Sequence, residues 1–353
     1  MSEARAQSGW RSPYLLLAAT MLFWGSGFSS SELMVDHMPH AVAALLRFGG
    51  GAVALLVVMS FLSRSGRTSA RDWSRAAIAG FLEVFAYNLF FFWGLSLAPA
   101  VDASIIVPVM SPILTTAFML LTRKEAASAS RVTGLTIGLI GAAIFFLGAS
   151  EGSGGSTRLV GDLLFLLSAA CWAAYSVYGA RVLGGMEPLK ATTYAMLTGT
   201  IMLGFYASPG IDDVDWSGLS HVVWLNVAYV AIGPTAVAYL FYYRGVQAVG
   251  PSAATTMMFL VPVIGTFCSV VLLGESFGLL QAVGAVVLLA GAFLAVTGGR
   301  VLERLRGRPE RPTAHDEAEV ERALADGGAS NAGQARLGAA GPGLTEGADR
   351  GAE

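Results

Sequence analysis

The sequence predicts an all-α polytopic membrane protein with ten transmembrane helices, arranged as two inverted five-helix repeats with both termini in the cytoplasm. Three observations predict this fold: an apolar composition, a one-sided distribution of Lys and Arg, and a motif that recurs after 150 residues. Of the 353 residues, 54% are hydrophobic and 13% are charged, and the mean hydropathy is +0.62. So few charges cannot cover the surface of a soluble globular protein of this length.

Ten apolar runs are long enough to cross a hydrocarbon core of about 30 Å, which takes about 20 mostly apolar residues per helix. They are 13–33, 40–62, 76–97, 102–122, 132–149, 161–182, 189–208, 220–243, 251–273 and 277–297. The runs are continuously apolar and do not alternate in roughly ten-residue strands, so the pattern disfavours a β-barrel.

Lys and Arg fall almost entirely on one side of these runs. Counted as far as Arg311, the side that carries the N-terminus has 17 of them, and the other side has only Arg158. The positive-inside rule therefore places both termini in the cytoplasm and favours an even number of spans in a cell membrane. An excess of Arg over Lys, 20 to 2, hints at a GC-rich bacterial genome. The first run also fits a signal peptide, but no small-residue cleavage site follows it.

The predicted domain organisation follows from the runs and from a change of composition after Gly298. It consists of a cytoplasmic N-terminus (1–12), a first repeat (13–149), an external linker (150–160), a second repeat (161–297) and a cytoplasmic tail (298–353). The tail is rich in Arg, Glu, Ala and Gly and is predicted to be disordered.

A Pro, Glu, Gly, Gly motif occurs once in each half of the chain. Its members are Pro112, Glu125, Gly134 and Gly141 in the first half, and Pro262, Glu275, Gly284 and Gly291 in the second. Because a unit of five spans crosses the membrane an odd number of times, its second copy enters the membrane in the opposite direction. The basic pair Arg123 and Lys124 becomes Leu273 and Gly274, which is the change in charge that inversion requires.

Several segments resemble the tandem EamA domains of the drug/metabolite transporter superfamily. They are FWGSGF at 23–28, LLRF at 45–48, PILTTAFMLLTRKE at 112–125 and PVIGTFCSVVLLGESFGLLQAVGAVVLLAGAFL at 262–294. The resemblance covers about residues 13–297. It implies a ten-helix carrier of metabolites, often amino acids or their derivatives, that usually works outward, and it implies no particular substrate.

Inverted repeats place a binding site near the bilayer midplane and expose it to each side in turn as one half rocks against the other. The expected protein is therefore a secondary transporter without a cofactor, whose partners are a small-molecule substrate and the lipid bilayer. A channel-like or facilitative pore and a membrane-embedded enzyme are the alternatives. The sequence has no HExxH or comparable catalytic or metal motif, and its basic residues are explained by topology, so nucleic-acid binding has no support.

Helical spacing predicts a polar and aromatic pathway on the first, third, sixth and eighth runs. Thr20, Trp24, Gly27 and Ser31 share one face of the first run, and Ser168, Trp172, Tyr175 and Gly179 are their counterparts in the sixth. The predicted pathway residues are Trp24, Arg47, Glu83, Tyr87, Asn88, Trp172, Tyr175, Tyr239 and Tyr243. Aromatic rings suit a modestly polar organic substrate, although helix packing alone also explains such stripes.

Arg47 and Glu83 are charged residues within apolar runs, where each is a functional candidate because burying a charge in a membrane is costly. Arg47 has three candidate partners: a substrate carboxylate, a neighbouring helix and a lipid head group. Glu83 is expected either to line the cavity or to pair with Arg47 or Asn88. It is also the first candidate for proton coupling, which remains open.

Other residues near the span ends carry structural expectations. Glu32, Asp36 and Asp102 are expected in a solvated mouth, whereas Glu125 and Glu275 are expected to cap or brace a neighbouring helix. Kinks or hinges are expected at Pro108, Pro112, Pro234, Pro262 and the triplet Gly49 to Gly51. A GxxxG pair at Gly134 and Gly138 serves either internal packing or a homodimer.

Overall fold

The computed structural model describes residues 13–62, 69–122, 128–150, 155–182, 186–249 and 257–297. The α-helices are α1 (Pro13–Val35), α2 (His40–Leu62), α3 (Ala70–Gly80), α4 (Tyr87–Leu95), α5 (Ala100–Leu121), α6 (Ala129–Ser150), α7 (Gly155–Val182), α8 (Pro188–Ala207), α9 (His221–Val230), α10 (Ala238–Val249), α11 (Leu260–Leu272) and α12 (Leu279–Thr297). A π-helical segment, Phe81–Ala86, joins α3 to α4, and a second, Ala231–Val237, joins α9 to α10. The predicted N-terminus, Glu125 and the predicted tail lie outside the described residues.

Seven helices in the described part of the chain are long and apolar enough to cross a membrane. They are His40–Phe61, Ala70–Leu95, Ala100–Leu121, Ala129–Ala149, Gly155–Tyr178, His221–Tyr242 and Leu279–Thr297. This confirms the expectation of an all-helical membrane protein. The helices α1 and α8 coincide with predicted runs but fall outside this set, and α11 is a shorter apolar helix.

The α7 helix begins earlier than the sequence suggests. It starts at Gly155, so the second half of the segment assigned to an external linker is helical. Arg158, counted at first as a loop residue, lies in the first turns of this helix and is only 3% exposed.

The α6 and α12 helices pack with their backbones almost in contact. A Cβ atom on Gly141 would lie 2.3 Å from the Leu288 nitrogen, and one on Gly291 would lie 2.2 Å from the Gly138 nitrogen. Small residues at a helix interface permit this approach, which maximises dispersion contacts where no hydrophobic effect drives helices together. The Gly134 and Gly138 face is therefore covered by α12 of the same chain, as the internal-packing interpretation expects.

Several other close helix contacts connect the two halves of the chain. The α1 helix packs against α10 and α11, and α7 packs against α4 and α5. The α2 helix contacts α8 and the π-helical segment Ala231–Val237, while α3 contacts α8 and α5 contacts α11. This arrangement places α1, α4, α5, α7 and α10 around a common centre.

The glycine triplet in α2 has a packing role. A Cβ on Gly50 would lie 2.7 Å from the Ala231 Cβ, and one on Gly51 would lie 2.4 Å from the Thr235 Cγ2. The α2 helix runs unbroken through the triplet from His40 to Leu62, and the expected kink or hinge there stays a prediction. The glycines allow α2 to approach the π-helical segment of the opposite half.

The α6 and α12 contact predicts that Gly291→Ala destabilises the fold, by about 1–3 kcal/mol, because the added methyl group overlaps the α6 backbone. Thermal unfolding of the purified protein in one detergent, followed by helical circular dichroism, measures the change. Gly204→Ala is the matched control, since the nearest atom to its added Cβ is 3.8 Å away. Equal melting temperatures for the two variants would contradict the close contact.

Candidate functional site

A cavity lies at the centre of the bundle. Its empty volume, which includes the open mouth, is about 660 Å³. Its walls are formed by Trp24, Gly27, Phe28, Arg47, Phe48, Tyr87, Phe91, Val107, Pro108, Ser111, Trp172, Tyr239, Met258 and Val261. All four helices predicted to form a pathway contribute, and α2, α5, α11 and the segment before α11 contribute as well.

The position of Trp24 is fixed by an irregular backbone on the facing helix. In the segment Ala231–Val237 the Ala238 amide bonds the Gly233 carbonyl, five residues back, so it does not bond the Pro234 carbonyl. The Trp24 indole nitrogen donates to that Pro234 carbonyl at 3.2 Å. Pro234 itself has no amide proton for the Val230 carbonyl, which accepts from the Thr235 hydroxyl at 2.8 Å instead. The expected kink at Pro234 therefore takes the form of a π-helical segment.

Aromatic rings form one wall of the cavity. Trp24 meets Trp172 edge to face with ring centroids 6.4 Å apart, and it meets Tyr239 in the same way at 5.8 Å. Tyr87 lies 5.7 Å from Trp172. The stripes predicted on the first, third, sixth and eighth runs thus converge on one another, with each ring held by its neighbours.

Arg47 brings a positive charge to the cavity wall. Its guanidinium donates to the Ser31 hydroxyl at 2.8 Å and to the Thr235 hydroxyl at 3.4 Å, and it lies over the rings of Phe48 and Phe91. Within the described residues, no carboxylate forms a salt bridge with Arg47. Hydroxyl groups and ring faces orient the cation without neutralising it, so the site is suited to an anionic group.

Three residues predicted for the pathway, Glu83, Asn88 and Tyr175, are not among those that line the cavity. Glu83 is 4% exposed, and its carboxyl faces the hydroxyl groups of Tyr175 and Tyr239. Asn88 is fully buried, and its amide nitrogen donates to the Val84 carbonyl at 2.7 Å. Glu83 therefore contacts two tyrosines and does not pair with Arg47 or Asn88. One of these tyrosines, Tyr239, also lines the cavity.

The predicted residue Tyr243 lies on α10, and its side chain falls outside the described part of the structure. Its neighbour Tyr242 lies close to the site, with its ring 5.0 Å from that of Trp24. Sequence reasoning also missed Phe28, Phe48 and Phe91, because apolar rings do not stand out on apolar helices. A kink was predicted at Pro108, and this prediction was the signal that could have identified α5 as part of the cavity wall.

A second polar cluster lies at the end of the bundle where α5 and α12 begin. Asp102, fully buried, accepts two hydrogen bonds from Arg158, at 2.6 and 2.8 Å, and a third from the Gln281 amide at 3.1 Å. The expectation of a solvated mouth is wrong for Asp102, because α7 extends far enough to bring a guanidinium against it. Asp36 is exposed, as expected.

The N-terminus of α5 is capped by residues from elsewhere in the chain. Its N-cap residue, Pro99, has no side chain that can accept a hydrogen bond. Glu275 accepts from the Ala100 and Val101 amides at 2.9 and 2.8 Å, and Glu32 also accepts from the Ala100 amide. Carboxylates satisfy the free amide groups and the partial positive charge of a helix N-terminus. The bracing role predicted for Glu275 is confirmed.

Comparison with known proteins assigns the fold to a large group of transporters. The sequence profile of the EamA-like transporter family matches residues 11–147 and again 159–297. A solved crystal structure with 22% identity covers 82% of this chain and 98% of its own, with a TM-score of 0.57, which indicates a shared fold.

Two relatives are similar over most of their length. The chain is 26% identical over 287 residues to "Uncharacterized transporter YyaM" of Bacillus subtilis, covering 80% of this chain and 92% of the relative. It is 25% identical over 291 residues to "Probable terminal-alkyne amino-acid exporter" of Streptantibioticus cattleyicolor, covering 79% of this chain and 91% of the relative.

The buried ion pair predicts that Asp102→Ala destabilises the protein by about 3–5 kcal/mol, because it removes the carboxylate that accepts both hydrogen bonds of the buried Arg158 guanidinium. Chemical or thermal unfolding in detergent measures the loss. Asp213→Ala, at an exposed position, is the control and is expected to have no measurable effect. The double variant Asp102→Leu with Arg158→Met should recover much of the stability, and a double variant as unstable as the single one would rule out an unpaired charge as the cause.

Proposed function

Because the chain belongs to the EamA-like transporter family, we propose that it is a secondary transporter that exports amino acids or related small metabolites by alternating access. The observation that carries this proposal is the central cavity, where an arginine without a carboxylate partner among the described residues faces a wall of aromatic rings. Members of the family are transporters, and no catalytic role is proposed for the cavity.

The architecture that we propose comprises ten transmembrane helices in two inverted repeats with cytoplasmic termini, in a bacterial plasma membrane. The helix contacts support this proposal, because exchanging the halves converts the α1 contacts with α10 and α11 into the α7 contacts with α4 and α5. The two π-helical segments also begin 150 residues apart, at Phe81 and Ala231. The one-sided distribution of Lys and Arg supports the orientation.

The substrate chemistry follows from the groups that face the cavity. We propose that Arg47 binds the carboxylate of an amino acid or a similar metabolite, since a charge-assisted hydrogen bond is stronger than a neutral one. The rings of Trp24, Trp172 and Tyr239 then contact the apolar or cationic part of the solute. The name of one relative, an amino-acid exporter, supports both the substrate class and the direction.

Arg47→Gln is expected to weaken transport of carboxylate-bearing solutes by about 10- to 100-fold in apparent affinity, which is the value of one charged hydrogen bond. Proteoliposomes loaded with a panel of amino acids, and with the corresponding decarboxylated amines, measure the change in efflux. Transport of any amine in the panel should be much less affected.

Arg71→Gln, which removes an exposed guanidinium on α3, is the matched control and should behave as the wild type does. If Arg47→Gln weakens the transport of amines and of amino acids equally, Arg47 supports the fold and does not bind the carboxylate. If the wild type moves no solute in the panel, the proposed substrate class is wrong.

We further propose that Glu83 exchanges a proton as access alternates, because it is an intramembrane carboxyl that contacts a tyrosine of the cavity wall. Glu83→Gln should keep solute exchange at equal concentrations and lose accumulation driven by a pH gradient. Both rates are measured on the same proteoliposomes. Gradient-driven accumulation that is unchanged in the variant would remove Glu83 from the coupling mechanism.

A further inference from the structure

Asp162 is a buried carboxyl group that the proposed transport site does not use. It lies on α7 one helical turn after Arg158, and its side chain is fully buried. Neither of its carboxyl oxygens accepts a hydrogen bond from the described residues. An ionised carboxylate buried without a donor is costly, and such a group keeps its proton instead.

The neighbours of Asp162 explain why a proton fits there. Its carboxyl faces the Asp102 carboxylate and the Arg158 guanidinium. Arg158 already donates to both oxygens of Asp102, and Gln281 donates to one of them. Two ionised carboxylates beside a single guanidinium would leave one buried negative charge unbalanced. A protonated Asp162 can donate a hydrogen bond toward Asp102, and the network is then neutral.

The other titratable groups around this network do not supply the missing positive charge. Glu275 also faces Arg158, Glu32 faces Glu275, and Asp36 faces Glu32. The N-terminus of α5 offsets part of the charge on Glu275 and Glu32, whose oxygens accept from its amide groups. Asp162 does not reach these amides, so it depends on Arg158 alone.

Water has access to the edge of the network. A cleft open to solvent is bordered by Glu32, by residues 95–99, and by Arg158, Glu275 and Ser276. Arg158 borders this cleft and contacts Asp102, whereas Asp102 and Asp162 are fully buried, so exchange of a proton with this water is part of the proposal. Within the described residues, no group of three or more His, Cys, Asp or Glu side chains is placed to hold a metal ion.

We propose that Asp162 is a proton-binding site, separate from the central cavity, and that its proton keeps this end of the bundle closed. The inference rests on the proposed transport function. The protonated network joins α5, α7 and α12 through Asp102, Arg158 and Gln281. Transfer of the proton to water in the cleft places a second negative charge beside Asp102, and the repulsion separates α7 from α5.

Asp162→Asn tests the proposal because the amide has the same shape, is permanently neutral and keeps an N–H donor toward Asp102. Solute exchange is measured in proteoliposomes with the same pH on both faces, so that no gradient contributes. The wild-type rate should rise with pH, by up to about tenfold per pH unit while Asp162 titrates. The variant should stay at the slow acidic rate at every pH, whereas Asp213→Asn, at an exposed position, keeps the wild-type profile.

Infrared spectroscopy of the purified protein gives a readout that does not depend on transport. The wild type should show a carbonyl band of a protonated carboxylic acid that disappears on alkaline titration, and part of that band should be missing in Asp162→Asn. A variant with the full wild-type band overturns the proton site.

An unchanged pH profile of exchange in the variant overturns the role in closure. Exchange that depends on sodium at constant pH, and loses that dependence in Asp162→Asn, overturns the proton assignment and identifies a metal cation site. If no solute is transported at all, the transport function fails, and the infrared band still decides whether Asp162 carries a proton.

Discussion

Backbone carbonyls released by an irregular helix need another donor inside an apolar bundle, and the central site depends on this constraint. Pro234 and the π-helical segment around it free carbonyl groups on the helix that faces α1. Trp24 donates to one of them, Thr235 to another, and Thr20 donates to the Ala238 carbonyl at 3.3 Å. Trp24, which lines the cavity, is therefore placed by a backbone carbonyl that would otherwise remain unsatisfied. A substitution at Pro234 would reach the site through the position of Trp24.

The sequence predicts the composition of this site better than its geometry. Helical spacing shows that Trp24 shares a face with Gly27, and that Trp172 shares a face with Tyr175, because the period of one helix is fixed. It does not show which helices meet, so the walls supplied by Phe48 on α2 and Ser111 on α5 were not foreseen. Phe residues on an apolar helix cannot be distinguished in the sequence from the apolar residues that only pack. Only polar or interrupted positions reveal a site in such a chain.

The end of the bundle near Asp102 illustrates a different limit. Position near the end of an apolar run predicted solvation for Asp102, and a loop for Arg158. The structure buries both, because α7 begins before its apolar run does and carries Arg158 against Asp102. The role of Glu275 was predicted from its position at the end of an apolar run, where a carboxylate is favourable beside the N-terminus of a neighbouring helix. Which helix it caps depends on packing that no local pattern encodes.

The close helix contacts of the proposed carrier recur in both halves of the chain, whereas its charged side chains do not. Glycine contacts recur in both halves: Gly51 approaches the segment Ala231–Val237, and Gly199 approaches Val84 in the segment Phe81–Ala86. The charged groups do not recur, because the positions equivalent to Arg47 and Glu83 are Met196 and Gly233. A repeated scaffold allows two equivalent states, open to either side, while an unrepeated charge gives the solute a single orientation. Both charges lie in one half but contact the other, because Arg47 donates to Thr235 and Glu83 faces Tyr175 and Tyr239. Movement between the halves would therefore change the surroundings of both charges.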